Sequence, residues 1–246
     1  FQAPLSDALY HHAWARALAF PGANPPRGTI DQQWDERPFF KAPGYPYALG
    51  LFYRVAGDDP VRVALAQSLL GLVTVWLLVL LGRACGGPAA GWWAGALGAT
   101  SWVLIFYEQE LMEPVLLLPL LLGFLWQAHR AAEQVSLGRA AVAGLLLGAA
   151  VLVRPNYLLF APLAALWLGA RFRAGGRPGV RAAAVLMLAA LLVTAPALWR
   201  NVRASEEWIW LSANGGINLY LGNNPHANGL DPASPDILSW SPFDYP

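Results

Sequence analysis

Cysteine is nearly absent from this chain of 246 residues and lysine is equally scarce, Cys85 and Lys41 being the single examples. One thiol excludes a disulfide framework and a cysteine-based metal site. Charge is sparse too: 13% of residues are charged against 57% hydrophobic, and the formal net charge is +1. Without a basic stripe to follow a phosphate backbone, nucleic acid is excluded as a partner. No internal repeat and no low-complexity tract is present. The chain opens at Phe1 without Met or signal peptide and stops within a polar, Pro/Asn-rich stretch. The expectation is a fragment at both ends, with a first transmembrane helix upstream of residues that must lie outside.

What the chain does have is apolar length. Six stretches stand out, residues 62–82, 86–107, 113–129, 139–153, 155–170 and 181–199. A span needs ~20 mainly apolar residues to cross ~30 Å of hydrocarbon. The fourth and fifth stretches are short. Fused, they would form one helix of about 48 Å, too long for the bilayer. Arg154-Pro155 therefore reads as a tight outer turn, with a partly re-entrant segment as the alternative. The expected fold is an all-α multi-pass membrane protein with about six transmembrane helices. Residues 62–203 make the bundle, and residues 1–61 and 204–246 make two extracytoplasmic segments.

Charge sign sets the orientation. Threading the spans alternately puts Arg83, Arg130, Arg139, Arg171, Arg173, Arg177 and Arg181 on one side, with Glu133 the only acid there. Every other Asp and Glu falls opposite. The positive-inside rule makes the Arg-rich side cytoplasmic, so a site among the acids faces the periplasm or exterior of an inner membrane. Such a site has no access to nucleotide donors. In the first outer segment, Ser6-Asp7 precedes a helical run from Ala8 to Phe20, then the loop PGANPPRG. DERPFFKAPGYPYALGLFYRVAG comes next, its aromatics suited to the headgroup boundary before a short apolar helix. The second outer segment offers Trp208 and Trp210 as interface anchors, Asn-Gly turn chemistry, and a brief alternation at Ile217, Leu219 and Leu221.

Few residues could carry chemistry. Lys41, in FFKAPGYP, is either a snorkelling interfacial cation or a point charge for a phosphate at the bilayer surface. Arg154 would cost ~2.5–3.5 kcal/mol at mid-bilayer, so it either snorkels from a helix hairpin or faces an anion. Arg200 closes the sixth stretch on the same side. Together the three cations could surround one lipid phosphate. Glu108, Glu110 and Glu113 in YEQELMEP are a solvated acidic loop, or one of them orients an acceptor, pairs with Arg154 or helps hold a cation. Asp7, His11 and His12 could join them, but the spacing of a dedicated hard-cation loop is missing, so no metal is assigned and a divalent cation lacks support. Asp7 is a first-turn helix acid or a general base toward an acceptor hydroxyl. Tyr45, Glu108, Asn214, Asn223 and Asn224 are candidate substrate contacts.

Taken in order, several stretches resemble the polyprenyl-phosphate-dependent membrane glycosyltransferases of the type C fold. That superfamily holds the dolichyl-phosphate-mannose protein mannosyltransferases and the bacterial aminoarabinose transferases. SDALYHHAWA resembles the first outer loop, FFKAPGYPYALGLFYRVAG the Lys/Pro/Tyr segment entering the next span, and YEQELMEP the acidic second outer loop. LVRPNYLLFAPLA resembles the Arg-Pro pair before a long apolar run, and ALWRNVRASEEWIWLSANGGINLYLGNNPHANG a stretch typical of bacterial members. The resemblance implies outer-face transfer of a sugar from a polyprenyl-phosphate donor to a hydroxyl of a protein, lipid or glycan, with inversion. It implies Asp7 as catalytic base, Lys41 and Arg154 on the donor phosphate, and a second acid at Glu110 or Glu113. No nucleotide or other cofactor is implied; membrane lipids surround the bundle. The rivals are a lipid-linked sugar flippase or transporter, against which the lack of paired broken helices counts, and a non-catalytic assembly subunit.

Overall fold

The structure, a computed structural model, describes residues 7–22, 41–205, 208–225 and 227. Ser6, most of the PGANPPRG loop, the residues just ahead of Lys41 and the chain beyond residue 227 lie outside the described residues. Among those described, all regular structure is helical: α1 (Asp7–Ala19), α2 (Gly44–Ala56), α3 (Pro60–Thr100), α4 (Trp102–Gln109), α5 (Pro114–Gln134), α6 (Leu137–Val153), a 3-10 turn (Pro155–Leu159), α7 (Phe160–Ala174), α8 (Gly179–Ser205) and α9 (Gly215–Asn223). Helices are the form in which a chain crossing hydrocarbon can satisfy its own backbone.

Local chemistry sets the helix starts. Asp59 accepts a hydrogen bond from the Arg62 amide at 3.1 Å, and Pro60 fills the first turn of α3, where its missing N–H costs nothing. Ser136 caps α6 in the same way through the Arg139 amide. The 41 residues of α3 form two helical limbs and not one rod. Gly87 has φ 81° and ψ −176°, a conformation open to glycine, and Pro88 comes directly after it. The chain reverses there. A Cβ on Gly82 would lie 2.8 Å from the Ala90 carbonyl oxygen, and one on Gly98 2.6 Å from Leu78 Cδ1, so the two limbs pack antiparallel almost backbone to backbone.

A similar device joins α6 to α8. Gly144 and Gly148, one helical turn apart, let the α8 backbone approach until a Cβ on Gly148 would sit 2.6 Å from the Ala190 carbonyl oxygen. Small residues at this spacing are how membrane helices gain close van der Waals contact. Phe124, Leu147, Leu168, Phe172 and Leu186 fill the core between α5, α6, α7 and α8. A second core around Tyr53, Val63, Leu111 and Ala150 docks α1 and α2 onto the bundle. Trp76, Trp92, Trp93, Leu166, Leu192 and Trp199 point outward, as a lipid-facing surface requires.

The protein is an all-helical multi-pass membrane protein. By length and composition Pro60–Thr100, Pro114–Gln134 and Gly179–Ser205 can each cross a membrane, while Leu137–Val153 is shorter. That is fewer than the six expected stretches, and the difference lies in segmentation. The expected stretches at 62–82 and 86–107 are the two limbs of α3 continued by α4, and 155–170 is divided between the 3-10 turn and α7. Arg154 itself is extended, with φ −144° and ψ 103°, and ends α6 as a tight turn. Ile217, Leu219 and Leu221 fall within α9, correcting the strand-like reading of their alternation. No partner strand is present among the described residues, so the backbone there satisfies itself helically.

The helix ends and turns around Arg130, Arg139, Arg173 and Arg177 gather at one end of the bundle, where Val135 packs against Gly175. The opposite end holds Glu113 and Arg154. There Gly44, at the start of α2, meets the C-terminus of α6: a Cβ on Gly44 would lie 2.6 Å from the Val153 nitrogen. This contact sets Lys41, three residues earlier, beside Arg154.

Candidate active site

Five separate segments converge on one cavity of about 610 Å³. Asp7 and His11 come from the first turns of α1, four apart and hence on one face. Lys41 and Tyr45 come from the entry to α2, Glu113 from the residue before α5, and Arg154 from the turn after α6. Asn156, Ser212, Asn214, Asn218 and Asn223 supply a facing wall of uncharged polar groups.

The charges are arranged in two pairs. Lys41 Nζ forms an ion pair with Asp7 Oδ1 and lies 4.8 Å from the centroid of the Tyr10 ring, an aromatic face that favours a cation. Its own side chain is largely buried while Asp7 is half exposed. Arg154 Nη2 stands 3.8 Å from Glu113 Oε1, with Arg154 half exposed and Glu113 mostly buried. The other Glu113 oxygen is buried without a hydrogen-bond partner among the described residues.

His11 is the residue that sequence reasoning placed only among conceivable cation ligands. It is 5% exposed, its Nδ1 lies 3.1 Å from the Leu111 carbonyl oxygen, and its ring meets the edge of Tyr45 at 5.1 Å between centroids. Since a carbonyl only accepts, Nδ1 carries the proton and Nε2 keeps its lone pair. Burial pushes the His11 pKa below its ordinary value, partly opposed by Glu113 and reinforced by Lys41. The imidazole is therefore neutral at neutral pH.

The structure brings Asp7, Lys41, Tyr45, Glu113, Arg154, Asn214 and Asn223 to this cavity. It places the other sequence candidates elsewhere. Glu110 contributes its carbonyl oxygen to Gln67 Nε2 at 3.0 Å, and its carboxylate does not line the cavity. Glu108 lines a separate apolar groove with Leu65, Gly71 and Leu72. Both displacements come from the backbone: α4 ends at Gln109 and Glu110 is extended, so the two side chains leave the helix end in other directions than Glu113. Arg200 packs over Trp14 and Tyr47 at 5.6 and 5.5 Å, and donates to Tyr47 Oη and Asn201 Oδ1 at 2.9 and 2.7 Å. It borders a second apolar groove with Gly44 and Leu152. Asn224 is buried against its own helix, donating to the Tyr220 and Leu221 carbonyls. The described residues contain no cluster of three or more His, Cys, Asp and Glu side chains that could hold a metal ion.

Fold and site together define a helical membrane protein whose charged cavity opens at the acid-bearing end of its bundle. Residues 40–200 match a protein-family model described as dolichyl-phosphate-mannose-protein mannosyltransferase. The chain belongs to that family, and is thus a membrane glycosyltransferase of the mannosyltransferase type. The match spans Lys41, Glu113 and Arg154, while Asp7 and His11 precede it. Neither the curated proteins nor the solved structures contain a match to the chain.

Proposed function

We propose that this protein is an inverting glycosyltransferase that moves a sugar from a polyprenyl-phosphate donor to an acceptor hydroxyl at the outer face of the inner membrane. The observation that carries the reading is the single cavity shared by Asp7, Lys41, Glu113 and Arg154, which are distant in sequence yet adjacent at the acid-rich end of the bundle. A sugar joined to a lipid through one phosphate fits that charge pattern. Its phosphate replaces Asp7 as the counter-ion of Lys41 and engages the exposed face of Arg154. The freed Asp7 carboxylate then takes the proton of the acceptor hydroxyl as its oxygen attacks the anomeric carbon. The bond from that carbon to the phosphate oxygen breaks from the opposite side, and the electron pair leaves with the lipid phosphate. Lys41 and Arg154 stabilise the charge that develops there. The lipid tail holds the donor at the depth of the cavity, which supplies positioning. The asparagines opposite offer donors and acceptors for sugar hydroxyls. The acceptor is a hydroxyl of a protein, lipid or glycan.

The test is donor consumption by the full-length protein in detergent against a panel of polyprenyl-phosphate sugars. One donor should lose its sugar without a sealed compartment, an outcome a flippase or transporter cannot give. Asp7→Asn should abolish turnover with donor binding retained. Lys41→Ala should weaken donor binding by roughly 10–100-fold, the worth of a hydrogen bond to a charged group. Retained turnover in Asp7→Asn removes Asp7 from the role of base.

A further inference from the structure

We infer that Gln67, a buried residue outside the cavity, is a positioning residue that holds the acidic loop and Tyr45 in register with His11. The inference rests on the reading of the cavity as a transferase site. Gln67 lies on the first limb of α3 among apolar neighbours and is 4% exposed. A side-chain amide in such surroundings is costly unless its hydrogen-bonding capacity is met. Here it is met by groups from two other segments. Tyr45 Oη donates to Gln67 Oε1 at 2.6 Å. Gln67 Nε2 donates to the carbonyl oxygens of Glu108 and Glu110 at 2.9 and 3.0 Å. The amide orientation is fixed by chemistry: rotated by half a turn, its oxygen would face two carbonyls that cannot donate.

The two carbonyls are those a terminating helix leaves without partners. The last turn of α4 includes Glu108, and Glu110 is already extended with φ −105° and ψ 146°. Gln67 thus supplies from α3 the donors that the loop lacks. The next residues of the loop belong to the site. Leu111 offers the carbonyl that accepts from His11, and Glu113 faces Arg154. On the other side, Tyr45 meets the edge of the His11 ring. One amide therefore ties three chain segments whose relative placement sets His11 and Glu113, without itself lining the cavity.

The test uses full-length protein in detergent with the polyprenyl-phosphate sugar that the panel shows to be consumed. Gln67→Leu should lower kcat by roughly 10²-fold, as misplacement by about 1 Å does, with donor KM changed less than about threefold. Gln67→Glu supplies a built-in reversal. Ionised, its carboxylate repels both carbonyls; protonated, it accepts from Tyr45 and donates to one of them. Its turnover relative to wild type should therefore rise as pH is lowered, which loss of folding alone would not produce. Hydrogen exchange provides a readout independent of activity: residues 108–113 should lose protection in Gln67→Leu while α7 and α8 keep theirs. Wild-type kcat in Gln67→Leu, a flat pH ratio for Gln67→Glu, or unchanged protection of the loop each overturns the inference. If wild type consumes no donor, the transferase reading fails, and hydrogen exchange alone decides whether Gln67 orders the loop.

Discussion

Two adjacent histidines, His11 buried and His12 partly buried, should give the site end of the molecule a pH dependence. Burial lowers the His11 pKa and, with help from neighbouring Arg16, that of His12, whose Nδ1 lies 2.8 Å from Tyr53 Oη. A group whose folded pKa is depressed binds fewer protons folded than unfolded, so stability is present above its ordinary value of about 6.5 and is lost as pH falls below it. The thermal midpoint of the detergent-solubilised protein should therefore drop as pH is lowered through that ordinary value. His11→Gln should remove part of that slope, and His11→Gln with His12→Gln most of it. An unchanged slope in the double variant assigns the pH dependence to other groups.

At the scale of elements, the decisive junction is the N-terminus of α2 against the C-terminus of α6. Gly44→Ala forces a Cβ into the Leu152–Val153 backbone, which cannot yield as a flexible side chain would. Overpacking of this kind costs about 1–3 kcal/mol. The thermal midpoint should fall and turnover with it, because Lys41 and Arg154 are moved apart. Gly222→Ala, with open space around it, should change neither. The expected stretches beginning at 62 and 139 fall within two residues of the starts of α3 and α6, and the break after Val153 was legible from Pro155, because such ends depend on neighbours in sequence. Gln67 and His11 were not, since their partners lie 41 and 100 residues away and a lone polar residue in an apolar run carries no sign of them. Arg200 lies outside the charged cavity for a reason of the same kind. A cation at the end of a span carries no sign in the sequence that Trp14 and Tyr47 pack against it from elsewhere.

For the molecule as a whole, orientation is open to a direct check with its native thiol. Cys85 is exposed two residues before the Gly87 reversal, at the end of the bundle away from Lys41 and Arg154. A membrane-impermeant maleimide should label it in inside-out vesicles and leave it unmodified in right-side-out ones. The opposite pattern would turn the cavity to the cytoplasm. The order of the charged residues along the chain adds a consequence for biogenesis. On the outward-facing orientation proposed above, Asp7 and Lys41 belong to a segment that crosses the membrane ahead of the bundle holding Glu113 and Arg154, and each piece carries its own ion pair. Each half of the site is therefore electrically balanced before the two meet. When they finally close on one another, neither brings an uncompensated charge into the seam.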